Sequence, residues 1–170
     1  MTTLAVTVVS HDRPGLIADV TEVLAERGGN LTSSSMSLLQ GHFAWTLVVE
    51  VGADVDELRD ALLRVCPRGV NVLELDQEAS SAPPPVERLI VTLHGADRIG
   101  LVAAVTRALA DRGGNIVELA TQLHAGFYIC TAEVDFGARV DVAEVDAELK
   151  EVGAGLGVSV TVRRADPDVL

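Results

Sequence analysis

The sequence predicts an α+β protein built from two copies of one βαββαβ unit. Two observations lead to this prediction: the chain repeats itself, and each half alternates strand-like and helix-like patterns. A shift of 85 positions in the 170-residue chain aligns residues 4–51 with 89–136 without a gap, and 20 of those 48 pairs are identical. Internal similarity of this strength indicates that one structural unit has been duplicated.

The repeat divides the chain into two domains and a connecting segment. We predict a first domain over residues 1–78, a linker over 79–86 and a second domain over 87–166. The linker contains three consecutive prolines, which favour an extended chain and are excluded from a central strand or a helix interior. Because this linker is short, we expect the two domains to pack on each other.

Each copy shows the same six elements in the same order. In the first copy we predict strands over 3–10, 31–39, 43–51 and 69–75, and helices over 14–27 and 56–65. The first helix has an apolar stripe at helical spacing, formed by Leu16, Ile17, Val20, Val23 and Leu24. In the strand over 43–51, alternate residues from Phe43 to Val51 are apolar and point to one face. The order βαββαβ is the ferredoxin-like arrangement, a sheet with helices on one face.

Composition and charge narrow the classes of function. Hydrophobic residues make up 48% of the chain, and its formal net charge is −12, with 13 basic residues against 25 acidic ones. Nucleic acids are bound by clustered lysine and arginine, so we expect no direct nucleic-acid contact. No apolar run has the length of a membrane helix, and the first residues lack a basic secretory region. Two cysteines without a disulfide pattern favour the cytoplasm.

One turn motif occurs in both copies. Residues 10–17 read Ser-His-Asp-Arg-Pro-Gly-Leu-Ile, and residues 95–102 read Gly-Ala-Asp-Arg-Ile-Gly-Leu-Val. The helix that follows ends in Arg-Gly-Gly-Asn both times, at 27–30 and 112–115. These motifs and the βαββαβ order resemble the ACT domain family, and the resemblance covers nearly the whole chain. A chain with two such domains is similar to the glycine cleavage system transcriptional repressor proteins.

The resemblance implies a non-catalytic regulatory protein that binds a small amino acid at the interface of two paired domains and signals to a protein partner. The implied ligand-binding residues are the two turns and two asparagines: His11, Asp12, Arg13, Pro14, Gly15, Leu16, Ile17 and Asn30, with Ala96, Asp97, Arg98, Ile99, Gly100, Leu101, Val102 and Asn115. By position in the family, the copy-one turn would act with Asn115 and the copy-two turn with Asn30. A helix N-terminus suits a carboxylate, and a glycine lets backbone approach a ligand.

The same residues have structural alternatives. The aspartates are also typical helix caps, the glycines would allow close packing of helix on strand, the asparagines are common turn residues, and the arginines are often solvated. A duplicated fold repeats its structural requirements as well as its ligand site. The alternatives concern the pairs Asp12 and Asp97, Gly15 and Gly100, Asn30 and Asn115, and Arg13 and Arg98.

The two copies differ at the turn. Pro14 corresponds to Ile99, and His11 corresponds to Ala96. The strand after the helix is polar in the first copy, at 32–35, and mixed in the second, at 117–120. We therefore predict two unequal sites, the stronger one at the copy-one turn.

Catalysis and metal binding are weakly supported. Ser10, His11 and Asp12 are consecutive, and consecutive strand residues point to alternate faces, so they do not form a triad. The histidines and cysteines show no metal-ligand spacing, and we expect no metal and no cofactor. We expect Cys130 in the core and Cys66 half-exposed at a helix end.

The alternative function is a ligand-independent interaction or scaffold protein with vestigial sites. Exposed edge strands favour a homodimer.

Overall fold

The computed structural model describes residues 1–76 and 83–165. The chain forms two compact units that divide between residues 82 and 83. Residues 79–82 of the predicted linker lie outside the described part, as do the predicted domain ends at 78 and 166. Residues 83–85 belong to neither a helix nor a strand.

The first unit contains the six predicted elements, with boundaries that differ from prediction by at most two residues. They are β1 (Thr2–His11), α1 (Leu16–Glu26), β2 (Asn30–Leu39), β3 (His42–Val51), α2 (Val55–Val65) and β4 (Val70–Glu74). The antiparallel sheet has the order β2-β3-β1-β4, which leaves β2 and β4 as edge strands. Gly28, with φ +66°, ends α1 in the left-handed conformation that glycine adopts at low cost.

The second unit repeats this architecture. Its elements are β5 (Glu87–Ala96), α3 (Leu101–Asp111), β6 (Gly114–His124), β7 (Phe127–Phe136), α4 (Val142–Leu156) and β8 (Val158–Arg164). The sheet order is β6-β7-β5-β8. The extra residues of the second copy lengthen its last helix, since α4 has 15 residues and α2 has 11. Among the described residues, no helix combines the length and the apolar character needed to cross a membrane.

Each unit has its own core between sheet and helices. On β3 the buried positions alternate as predicted, at Phe43, Trp45, Leu47, Val49 and Val51. Burial of this apolar face is the main force that holds helices on a sheet.

The two cysteines are both part of these cores. Cys130 lies in the core as predicted, but the prediction of a half-exposed Cys66 is wrong, because that side chain is 1% exposed. Cys66 follows α2 and packs into the first core cluster. Burial raises the pKa of both thiols, so the reactive thiolate form is disfavoured.

The start of α2 offers a stability test. The Asp54 carboxylate accepts backbone hydrogen bonds from Asp56 at 2.9 Å and Glu57 at 3.3 Å. Loss of such a cap costs about 1 kcal/mol. We expect Asp54→Ala to lower the free energy of unfolding by that amount in denaturant titrations. Asp12→Ala is the matched control, since no side chain caps α1, and an equal loss in both variants would contradict the assignment of the cap.

Candidate functional site

The copy-one turn joins β1 to α1 through a left-handed glycine. Gly15 precedes the helix with φ +83° and ψ −4°, and α1 begins at Leu16. The predicted start at Pro14 is therefore wrong, because a left-handed residue cannot lie inside a right-handed helix. The alternative of an Asp12 cap is also wrong, since no side chain accepts a hydrogen bond from the first turn of α1.

The glycine is required for its backbone conformation. A Cβ built on Gly15 would meet no atom within 4 Å, so helix–strand packing does not explain it. Gly100 has φ +88° and ψ −4° and an equally open surrounding. The two turns thus have the same backbone conformation at their glycines, although the first copy has Pro14 where the second has Ile99. Any difference in ligand affinity between the two turns must therefore come from their side chains.

Arg13 connects the turn to the end of α2. Its Nη2 atom lies 2.5 Å from the Asp19 carboxylate and 3.4 Å from the Val65 carbonyl oxygen. These contacts tie the Arg13 guanidinium to α1 and to the end of α2. In the second copy, the Arg98 guanidinium lies beside Gly157 at the end of α4.

A cavity of about 470 Å³ opens at the copy-one turn. Its lining combines turn, helix and sheet residues: Asp12, Arg13, Gly15, Leu16, Ile17, Ala18, Met36 and Phe43. The sequence prediction missed the last three of these. The strand register explains how Met36 reaches the cavity. Met36 lies opposite the buried Trp45 and is therefore on the helix-facing side of β2.

The polar groups at this cavity carry both signs of charge. The Asp12 side chain is exposed, and within the described residues its carboxylate has no hydrogen-bond or ion-pair partner. The first turn of α1 presents the positive end of the helix dipole, and its Leu16 N–H donates to the Arg13 carbonyl oxygen at 3.4 Å, whereas the N–H groups of Ile17 and Ala18 have no intrahelical acceptor. Ile17, 45% exposed, and Met36, 47% exposed, add apolar surface. The cavity can therefore receive an anionic group, a cationic group and an apolar side chain together.

The two asparagines lie far from the turn of their own copy. Asn30 begins β2 and pairs with Glu50 on β3, so the alternative of a turn residue is wrong. His11, at the start of the turn, pairs with His42 at the other end of β3. The eight residue steps from His42 to Glu50 span about 27 Å along the strand. One copy therefore cannot bring its own asparagine to its own turn.

The second copy repeats this separation. Asn115 pairs with Asp135 near one end of β7, and Ala96 pairs with Phe127 at the other. At the copy-two turn, the position of Pro14 is taken by Ile99, which is fully exposed. Thr121 lies opposite Cys130 there, where the first copy has Met36 opposite Trp45. The sheet residues next to the turn are therefore more polar in the second copy than in the first.

Known proteins match both the sequence and the fold. A UPF0237 protein from Methanocaldococcus jannaschii is 33% identical over 82 residues, which are 48% of this chain and 91% of that protein. A UPF0237 protein from Lactococcus lactis is 38% identical over 76 residues, 45% of this chain and 86% of that protein. Each of these relatives corresponds to about one copy of the repeat.

Two solved structures match the chain over 97% of its length. A protein of unknown function from Galdieria sulphuraria has a TM-score of 0.78 at 28% identity, over 99% of that chain. A protein provisionally assigned as a glycine cleavage system transcriptional repressor has a TM-score of 0.70 at 15% identity, over 98% of that chain, and shows the shared fold.

The family assignment rests on the sequence as well. The pattern of the ACT domain matches residues 2–68 and again residues 87–163. The two matches coincide with the two βαββαβ units and include both glycine turns. The chain therefore belongs to the ACT domain family and carries two copies of its domain.

Proposed function

We propose that this protein is a non-catalytic regulator that binds a small amino acid at the copy-one turn and signals to a protein partner. The observation that carries the proposal is the cavity formed by the left-handed turn, the N-terminus of α1 and the sheet. ACT domains are typically regulatory domains that bind amino acids, and this cavity has the chemistry for such a ligand.

An amino acid has three parts, and the cavity offers a partner for each. The N–H groups at the start of α1 would bind the carboxylate, an interaction worth about 0.3–1 kcal/mol at an exposed helix end and up to about 2 kcal/mol when partly buried. The Asp12 carboxylate would pair with the ammonium group. Ile17, Met36 and Phe43 would contact a small side chain, which favours a ligand with little polar character beyond its α-carbon.

A second domain would complete the site. By position in the ACT family, Asn115 would complete the copy-one site and Asn30 the copy-two site. Each unit has an exposed edge strand with apolar residues that another ACT domain would cover, such as Leu38 on β2, 54% exposed, and Leu123 on β6, 57% exposed.

Ligand binding would act on a partner by favouring one domain arrangement over another. The net charge of −12 argues against direct contact with nucleic acid. A regulatory effect on transcription would therefore run through another protein.

Thermal unfolding with each of the twenty amino acids tests the proposal. A ligand present at about 100 times its dissociation constant adds about 2.7 kcal/mol to stability. For a chain of this length that raises the unfolding midpoint by roughly 5–10 °C. A rise with one or a few small amino acids is the expected result. No rise with any of them would contradict the proposal and favour the ligand-independent scaffold.

A further inference from the structure

The end of the first sheet brings two histidines face to face. His11, the last residue of β1, pairs directly with His42, the first residue of β3. Their rings are exposed and tilted by 39°, with centroids 5.2 Å apart. The residues are 31 positions apart in the sequence, so spacing along the chain does not reveal the pair. The sheet register creates it.

The ring separation matches a shared metal ion. An imidazole nitrogen binds Zn²⁺ at about 2.0–2.1 Å, and tetrahedral geometry then places the centres of two such rings about 5 Å apart. The observed 5.2 Å agrees with this value. The two residues face each other across hydrogen-bonded strands, so their backbones hold both imidazoles within reach of one ion.

The tautomer of His42 is suited to metal binding. Its Nδ1 lies 3.2 Å from the Gln40 carbonyl oxygen, which accepts a hydrogen bond from Nδ1 in the tautomer that carries the proton there. In the neutral ring this leaves the lone pair on Nε2. Metal-binding histidines commonly donate their second ring N–H to a carbonyl in this way.

We propose that His11 and His42 bind one divalent transition-metal ion such as Zn²⁺, with water in its remaining positions. Within the described residues no three His, Cys, Asp or Glu side chains are grouped to hold a metal, so the site rests on two protein ligands. The strongly negative chain attracts cations to it. The second copy has Ala96 and Phe127 at these positions and lacks the pair.

Zinc titration of the untagged protein by calorimetry tests this inference, with no amino acid present. We expect one Zn²⁺ per chain and at least a tenfold weaker affinity in His11→Ala and in His42→Phe, which introduce the copy-two residues. His124→Ala is the control and should bind like the wild type, because His124 faces Phe127 across its own hairpin. Mg²⁺, which prefers oxygen ligands, should not bind at the same concentrations.

Ring resonances of the histidines supply a second readout. Zinc should shift those of His11 and His42 and leave those of His94 and His124 in place. The inference would be overturned by any of three results: unchanged affinity in either substituted protein, shifts confined to the other two histidines, or no binding up to millimolar zinc. Repeating the amino-acid unfolding experiments in the presence of a chelator removes any metal effect from them, so failure here is distinguishable from failure of the proposed function.

Discussion

Replacement of Ile17 by aspartate is expected to abolish amino-acid binding without loss of folding stability. Ile17 is the second residue of α1, 45% exposed, and lines the cavity. A carboxylate at this position would interact with the same N–H groups that the ligand carboxylate needs, and it would repel that ligand. The same charge stabilises a helix N-terminus by about 0.3–1 kcal/mol. The ligand-induced rise in the unfolding midpoint should therefore disappear, while the ligand-free midpoint stays the same or increases.

Ile17→Asn is the matched control for charge. Asparagine has nearly the same size as aspartate and is neutral, so this variant should retain most of the ligand-induced rise. If both variants lose the rise equally, contact with the isoleucine side chain is what matters, and the carboxylate does not bind at the helix N-terminus.

Gly69→Ala should produce the largest loss of stability. Gly69 has φ +74°, and a Cβ there would lie 2.4 Å from the carbonyl oxygen of Val9. Its own carbonyl accepts a hydrogen bond from the Val9 amide at 2.8 Å, so the two segments cannot separate without losing that bond. Left-handed strain costs about 1–2 kcal/mol and overpacking a further 1–3 kcal/mol. We expect a decrease of about 2–5 kcal/mol in the free energy of unfolding, measured by denaturant titration.

Gly28→Ala separates these two contributions. Gly28 has φ +66°, but a Cβ there would meet nothing within 4 Å. This variant should show the strain alone, a decrease of about 1–2 kcal/mol. Equal decreases in the two variants would contradict the close approach of Gly69 to β1.

The fold could be predicted almost completely from the sequence because two kinds of signal agreed. The gapless repeat fixed the number of domains, and the alternation from Phe43 to Val51 identified the buried face of β3. The exceptions are local. Pro14 is compatible with a first helical turn, and only the backbone angles of Gly15 show that the helix begins later. Cys66 follows a helix before a proline, a pattern that does not reveal its burial in the core.

The candidate site was predicted less completely. The turn could be singled out as a candidate because its residues are contiguous and repeated. Met36 and Phe43 were missed because they reach the cavity through strand register, which one sequence does not specify. The contacts of Arg13 with Asp19 and Val65 could not be predicted for a similar reason, since they depend on how α2 packs beside α1.

Amide resonances of ¹⁵N-labelled protein provide the most direct test of the central claim. The titrant is the small amino acid that raises the unfolding midpoint. We predict that its binding shifts the backbone amides of Gly15, Leu16 and Ile17 most strongly, together with the side-chain amide of Asn115. Shifts confined to other surfaces, such as the cavity between α1 and α2 that Glu22 and Arg64 line, would contradict binding at the turn.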